Sequence, residues 1–131
     1  MTAVAELVLG LMLGLARQIP RADRGIRNGQ WLKKELKGTE LKGKYLGIVG
    51  LGNIGKRLGR LAKGLNMNII GYDVVAIDPE FVKEVGMMKA DLDTLLQSSD
   101  YISLHVPLLE STHHMINAEK LATMKPTARI I

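Results

Sequence analysis

Cysteine is absent from all 131 residues, which excludes a disulfide scaffold, a thiolate–metal site and a cysteine nucleophile. Aromatic residues make up only 4% of the chain. That leaves little for the stacking platforms on which single-stranded nucleic acid is held. Long apolar runs are missing as well. The most apolar stretch, Ala3–Ala16 (AVAELVLGLMLGLA), is shorter than the roughly 20 residues of a membrane span and has Glu6 inside it. It also lacks a basic leader, since only Thr2 separates Met1 from Ala3, so neither a span nor a secretion signal is expected. A cytoplasmic, reducing setting follows by default. What the chain does have is 47% apolar residues, too many for a disordered segment and enough, at this length, for one core.

Acidic residues are scarce in one half only. Residues 1–72 hold 13 Lys/Arg against four Asp/Glu, net +9, whereas residues 73–131 hold five against nine, net −4. A basic half can face nucleic acid, an anionic small ligand, or simply water and a partner subunit. With few aromatics, the nucleic-acid reading is the weakest of these.

The order of patterns along the chain points to a layered α/β fold. The apolar run Ala3–Ala16 ends at Arg17 and Pro20 and reads as a helix buried on most sides, against the core or a second subunit. Gln18–Lys44 is rich in Lys and Arg and has no sustained period, so a short helix plus an extended arm is expected, anchored by Ile19, Ile26, Trp31, Leu32, Leu36 and Leu41. From Tyr45 the pattern changes. Tyr45–Gly50 (YLGIVG), Asn68–Tyr72 (NIIGY) and Tyr101–Val106 (YISLHV) are bare apolar runs, as in strands covered on both faces. Between them Ile54, Leu58, Leu61, Ala62 and Leu65 recur at helical spacing. Asp78-Pro79 opens a helix that Gly86 closes, Met87–Lys89 is a brief edge strand, and Asp91 caps a helix with Leu92, Leu95 and Leu96 inward. Asn117 caps a last helix through Met124, and Ala128–Ile131 starts a strand. Strands alternating with helices at these lengths predict a Rossmann-type, doubly wound parallel sheet over residues 45–131, preceded by a helix and arm over residues 1–44. The four-residue terminal strand looks interrupted, so a truncated domain is expected.

The chemistry sits at the turn after the first strand. Gly50-Leu51-Gly52-Asn53-Ile54-Gly55 is a G-x-G-x-x-G run. By itself it is a weak signal: at this glycine content chance yields the spacing in about one such chain in seven. Its position between a buried strand and a helix gives it meaning. Gly50 permits the tight turn, Gly52 lets a pyrophosphate reach the backbone, and Gly55 lets helix and strand pack closely. The free N–H groups around Asn53 and Ile54 then point at the phosphates with the positive end of the helix dipole. Asp73 ends the second strand, 18 residues after Gly55, where an acid accepts hydrogen bonds from a ribose. A carboxylate there favours a 2′-hydroxyl and repels a 2′-phosphate, so NAD is expected rather than NADP. A strand-end cap is the bland alternative for Asp73.

The stretch L-G-I-V-G-L-G-N-I-G, thirteen residues, then I-I-G-Y-D (Leu46–Asp73) resembles the NAD-binding signature of the D-isomer-specific 2-hydroxyacid dehydrogenases. The resemblance runs the length of the chain. Thr2–Leu13 is similar to the family's helix between substrate and cofactor domains, and Arg27–Trp31 with Lys37–Lys44 to the arm that follows. Leu104–Asn117 (LHVPLLESTHHMIN) is similar to its adenine-side loop. Within the family, K-G-T-E-L and P-L-L-x-S-T look most like the phosphoglycerate dehydrogenases of serine synthesis, with glyoxylate or hydroxypyruvate reductases next. The resemblance implies pyrophosphate contacts at Gly50, Gly52, Asn53, Ile54 and Gly55, and a ribose contact at Asp73. It also implies adenosine–nicotinamide walls from Val74, His105, Val106, Pro107 and Thr112. Val74 stands where many members carry proline. A 2-hydroxy or 2-oxo acid is the implied substrate, and a homodimer through residues 3–41 the implied assembly.

No catalytic residue is assigned. His105 matches the family's loop histidine, not its later catalytic one, and Arg129 lies within a strand pattern. The family's arginine, glutamate and histidine fall outside residues 1–131, as does its substrate domain, so Met1 reads as a fragment start and no turnover is expected of these residues alone. His113 and His114 are adjacent and read as solvated loop residues, so no metal is expected. The seven methionines read as core filler. The competing readings are a non-enzymatic NAD-sensing or oligomerisation module on the same fold, and a nucleic-acid binder built on the basic half.

Overall fold

A computed structural model describes all 131 residues. Eleven elements run in the order α1 (Thr2–Arg17), α2 (Ile19–Arg27), β1 (Tyr45–Val49), α3 (Asn53–Gly64), β2 (Asn68–Tyr72), α4 (Pro79–Val85), β3 (Met88–Lys89), α5 (Leu92–Ser98), β4 (Tyr101–Leu104), α6 (Ala118–Thr123) and β5 (Arg129–Ile130). All five strands are parallel, in the order β3-β2-β1-β4-β5. This is the Rossmann-type sheet expected from the alternation of bare strands and amphipathic helices.

Period-2 alternation sorts the strand residues onto two faces. Leu46 and Ile48 of β1, Ile69 of β2 and Tyr101 of β4 join α1, α3 and α4 in one core. Val49, Ile70 and Ile102 point the other way and pack with Leu95 and Leu96 of α5. Gly47 lies between them because a Cβ there would meet Leu95 and Ser99, so α5 rests directly on the strand backbone. The caps form as the sequence predicts. Asp78, Asp91 and Asn117 accept N–H groups from Glu80, Thr94 and Lys120, and Gly86 ends α4 in the left-handed conformation, φ 66°. Some boundaries shift by one or two residues. The strand expected over Tyr101–Val106 ends at Leu104, the edge strand starts at Met88, and the last helix stops at Thr123 with Met124 as its C-cap.

At the opposite edge of the strands from the glycine turn, Asp100 fastens three elements. Its carboxylate accepts the Tyr45 N–H at 2.8 Å and Lys125 Nζ at 3.1 Å. Burial works to raise this carboxyl, but the Tyr45 N–H and the Lys125 ammonium outweigh it and hold the group below the ordinary carboxylate value.

The first helix differs from its expected surroundings. Ala5, Val8, Met12 and Ala16 form one fully buried stripe against α3, whereas Val4, Leu7, Leu11, Leu13 and Leu15 are exposed. A stripe dominated by small side chains lets α1 sit close to α3, and the five exposed residues point away. At Gln18, φ 54°, the chain turns by 65° into α2. The arm returns along α1: Thr39 donates its N–H to the Ala16 carbonyl at 2.8 Å, and Leu41 is buried. Trp31 is 78% exposed and stands beside an apolar groove of about 420 Å³ with Ala22, Ile26, Leu32 and Leu36. No single helix is long and apolar enough to cross a membrane.

Candidate cofactor site

The sheet order creates the site. The connection from β1 leads to β2 on one side, and the chain later returns to place β4 on the other side of β1. The loops leaving β1 and β4 therefore diverge, and a crevice opens at their carboxyl ends. Two hydrogen bonds extend the ladder to its rim, from His105 N–H to the Val49 carbonyl at 2.7 Å and from Gly50 N–H to the Tyr72 carbonyl at 2.8 Å.

The three motif glycines have three different neighbourhoods. Gly50 has φ 93°, and a Cβ there would lie 2.5 Å from the His105 carbonyl oxygen. Gly55 faces the Gly50 carbonyl so closely that a Cβ would overlap it. These two are glycine because the protein is packed against them. Gly52 is not: its φ of −70° suits any residue, and a Cβ would meet nothing within 4 Å. The space beside Gly52 is open toward the crevice, which is what a ligand approaching the backbone requires.

Gly52 is also the N-cap of α3, and no side chain caps that helix. The first-turn N–H groups of Asn53, Ile54 and Gly55 consequently have no partner within the chain, and no acid lies in the first turn. An anion held there would receive several N–H donors and the positive end of the dipole of a twelve-residue helix.

Asp73 has two roles available to it. Its Oδ2 accepts the Leu51 N–H at 2.6 Å and its Oδ1 accepts the Val75 N–H at 3.1 Å. It does cap the strand end, and through Leu51 it also ties the glycine turn to β2. Each carboxylate oxygen keeps lone-pair capacity for a second donor, because a carboxylate offers about four acceptor positions.

Gly50, Gly52, Asp73, Val74, His105, Val106, Pro107 and Thr112 all line one cavity of about 350 Å³. Asn53, Ile54 and Gly55 lie below it in α3, with Gly55 and Ile54 packed into the protein. The opposite wall is a short loop closed by Thr112, whose hydroxyl donates to the Pro107 carbonyl at 2.6 Å and accepts the Leu109 N–H at 2.8 Å. Tyr72, Val75, Leu109, Ser111 and Met115 line the cavity too and were not legible as site residues. For two of them exposure is the missing signal: Val75 and Leu109 are 69% and 54% exposed although apolar. A flat apolar ring system slotted between such side chains would cover them.

His105 is half-buried, and burial pushes its imidazole below the ordinary histidine value, which favours the neutral ring. Asp73 is the single acidic side chain in the cavity lining, which holds no Lys or Arg. The rings of His113 and His114 stack on one another at the surface, centroids 3.8 Å apart, outside that lining.

Residues 9–131 match the family model described as D-isomer specific 2-hydroxyacid dehydrogenase, NAD binding domain. The chain belongs to this family. It is 49% identical over 129 residues to the hydroxypyruvate reductase of Thermotoga maritima, covering 98% of this chain and 41% of that protein. To the D-3-phosphoglycerate dehydrogenase of Methanocaldococcus jannaschii it is 45% identical over 130 residues, 98% of this chain and 25% of that one. Among solved structures, the apo D-mandelate dehydrogenase of Rhodotorula graminis superposes with a TM-score of 0.92 at 37% identity, covering 98% of this chain and 40% of that one. The chain thus spans from a quarter to about two-fifths of the length of these relatives, and the family model that it matches is that of the NAD-binding domain. The crevice fits that cofactor on its own terms: an open backbone position at Gly52, uncapped N–H groups for a pyrophosphate, and an acid beside them. Bound NAD would supply the redox-active nicotinamide, and these residues would bind and orient it.

Proposed function

We propose that this chain holds NAD for an NAD-dependent D-2-hydroxyacid dehydrogenase that moves hydride between the cofactor and a 2-hydroxy or 2-oxo acid. The observation that carries this reading is Gly52, whose open side stands over the uncapped first turn of α3. In this reading Gly50, Gly52, Asn53, Ile54 and Gly55 form the pyrophosphate seat and Asp73 accepts the ribose hydroxyls. Val74, His105, Val106, Pro107 and Thr112 wall the adenosine–nicotinamide path. Titrating NAD and NADP into the chain tests it, with NAD expected to bind at least about tenfold tighter. Equal affinities would refute the role given to Asp73.

A phosphoglycerate dehydrogenase is favoured by the K-G-T-E-L arm and the P-L-L-x-S-T loop. A hydroxypyruvate or glyoxylate reductase is the second reading, supported by the 49% identity to the Thermotoga protein.

Residues 1–44 serve, in this reading, as an arm between domains and between subunits. The leucines that α1 turns outward and the groove beside Trp31 are an apolar surface on an otherwise basic segment. A homodimer through residues 3–41 would cover them. Sedimentation at micromolar concentration is expected to give twice the mass of one chain; a folded monomer would contradict the assembly.

A further inference from the structure

Strand β4 holds, beside the cavity residue His105, a buried hydroxyl that the reading above does not use. Ser103 is completely buried in β4, opposite Ile48 of β1. Its Oγ lies 2.8 Å from Nε2 of His105, and the hydroxyl has no other partner in the chain. A buried hydroxyl hydrogen needs an acceptor, and the one within reach is this ring nitrogen. Ser103 therefore donates and Nε2 accepts, which requires the neutral ring to carry its proton on Nδ1. Nδ1 makes no hydrogen bond within the chain, and no buried side-chain nitrogen or oxygen lacks a partner. Nδ1 is accordingly open, on a ring that lines the cavity.

We propose that Ser103 is a positioning residue, fixing His105 as the Nδ1–H tautomer and so presenting a neutral N–H donor to an acceptor oxygen of the bound dinucleotide. The device rests on the crevice being the NAD site. The tautomer it uses is the less common one for a free neutral imidazole, so it needs a partner to hold it. Protonating Nε2 would replace the serine's donation with the ring's and strand the Ser103 hydrogen in a buried setting. The pair thus keeps the ring neutral by the same contact that orients it, in agreement with the lowering effect of its burial. The arrangement gives the cavity a donor without adding a second charge beside Asp73.

Nitrogen-15 spectra of the histidine rings test this in the 131-residue chain, where only His105, His113 and His114 contribute signals. At pH 7 and without cofactor, Nε2 of His105 is expected at the unprotonated position and Nδ1 at the protonated one. A protonated Nε2 would overturn the proposal without touching the NAD reading. NAD at saturation is expected to shift the Nδ1 signal; binding that leaves it unmoved would overturn the donor role. Ser103→Ala is expected to move the proton to Nε2 and weaken NAD about three- to tenfold. NAD bound as tightly by this variant as by the parent would also overturn it. Asparagine at 105 carries an amide N–H near the place of Nδ1 and has no tautomer to fix. In the His105→Asn background, adding Ser103→Ala should leave NAD affinity unchanged within twofold, whereas a full three- to tenfold loss there would mean that Ser103 acts on packing alone. If Ser103→Ala fails to fold, the tautomer of the parent chain still decides the matter.

Discussion

Alanine at Gly55 and alanine at Gly52 are expected to fail in opposite ways. At Gly55 the added methyl would overlap the Gly50 carbonyl and press on Ile48, both parts of the rigid strand-to-helix turn. Backbone cannot move aside as a flexible side chain would. The cost is that of overpacking a fixed site, about 2–4 kcal/mol, which lowers the melting temperature by roughly 10 °C. At Gly52 the methyl would meet nothing within 4 Å and the backbone already has φ −70°. The small penalty of alanine at an N-cap is offset by the reduced freedom of the unfolded chain, so the melting temperature should stay within about 2 °C. The methyl would nevertheless stand where a pyrophosphate approaches the backbone. Losing one charge-assisted N–H contact weakens NAD by about 10- to 100-fold. Thermal melts and NAD titrations of the two variants check this pair. An unstable Gly52→Ala, or one that binds NAD normally, would mean that Gly52 serves the fold rather than the cofactor.

Asp73→Ala is expected to reduce NAD affinity by about 100-fold and to reduce NADP affinity less, narrowing the preference between them. The larger loss for NAD reflects the ribose hydroxyls, which only the unphosphorylated cofactor can offer in full. The loss shared by both cofactors has a different origin. Asp73 holds the Leu51 N–H at 2.6 Å and the Val75 N–H at 3.1 Å, so truncating it loosens the glycine turn, which then keeps the Gly50 N–H bond to the Tyr72 carbonyl as its tie to β2. Amide hydrogen exchange at Leu51, measured without cofactor, separates the two effects. Exchange should accelerate in Asp73→Ala, and also in Asp73→Asn, where an amide can accept from only one of the two N–H groups with its oxygen. Unchanged exchange at Leu51 in both variants would reduce Asp73 to a ribose ligand alone.

These expectations depend on different depths of information. The caps at Asp78, Asp91 and Asn117 and the stop at Gly86 were legible because each is a contact between residues a few positions apart. The bare runs at Tyr45–Val49 and Asn68–Tyr72 were legible because both faces of a central parallel strand are covered, and nothing polar interrupts them. The glycine spacing located the turn for the same reason. Boundaries at Leu104 and Thr123 were less so, since a strand ends where its neighbour's ladder ends and not where apolar residues stop.

The outward leucines of α1 show where local pattern fails. A run of fourteen nearly all-apolar residues reads as buried on most sides, yet within one chain only Ala5, Val8, Met12 and Ala16 are buried, on the side that packs against α3. Period alone cannot say which of several apolar faces a single chain covers. Tyr72, Ser111 and Met115 were missed as cavity residues because residue type carries no signal for a wall.

By itself, then, the sequence determined the alternation of elements, the helix caps, the phosphate-loop candidate and the acid that follows it, all of them consequences of short-range sterics and hydrogen bonding. Tertiary structure alone decided that β4 lies beside β1 and so brings His105–Pro107 to Gly50. It alone decided that the Asp73 carboxylate reaches Leu51, and that of three similar glycines only Gly52 faces open space. The contacts of Gly50 with His105 and of Asp73 with Leu51 each cross 20 or more positions of chain, and the open side of Gly52 is a place that no packed surface fills once the sheet has formed.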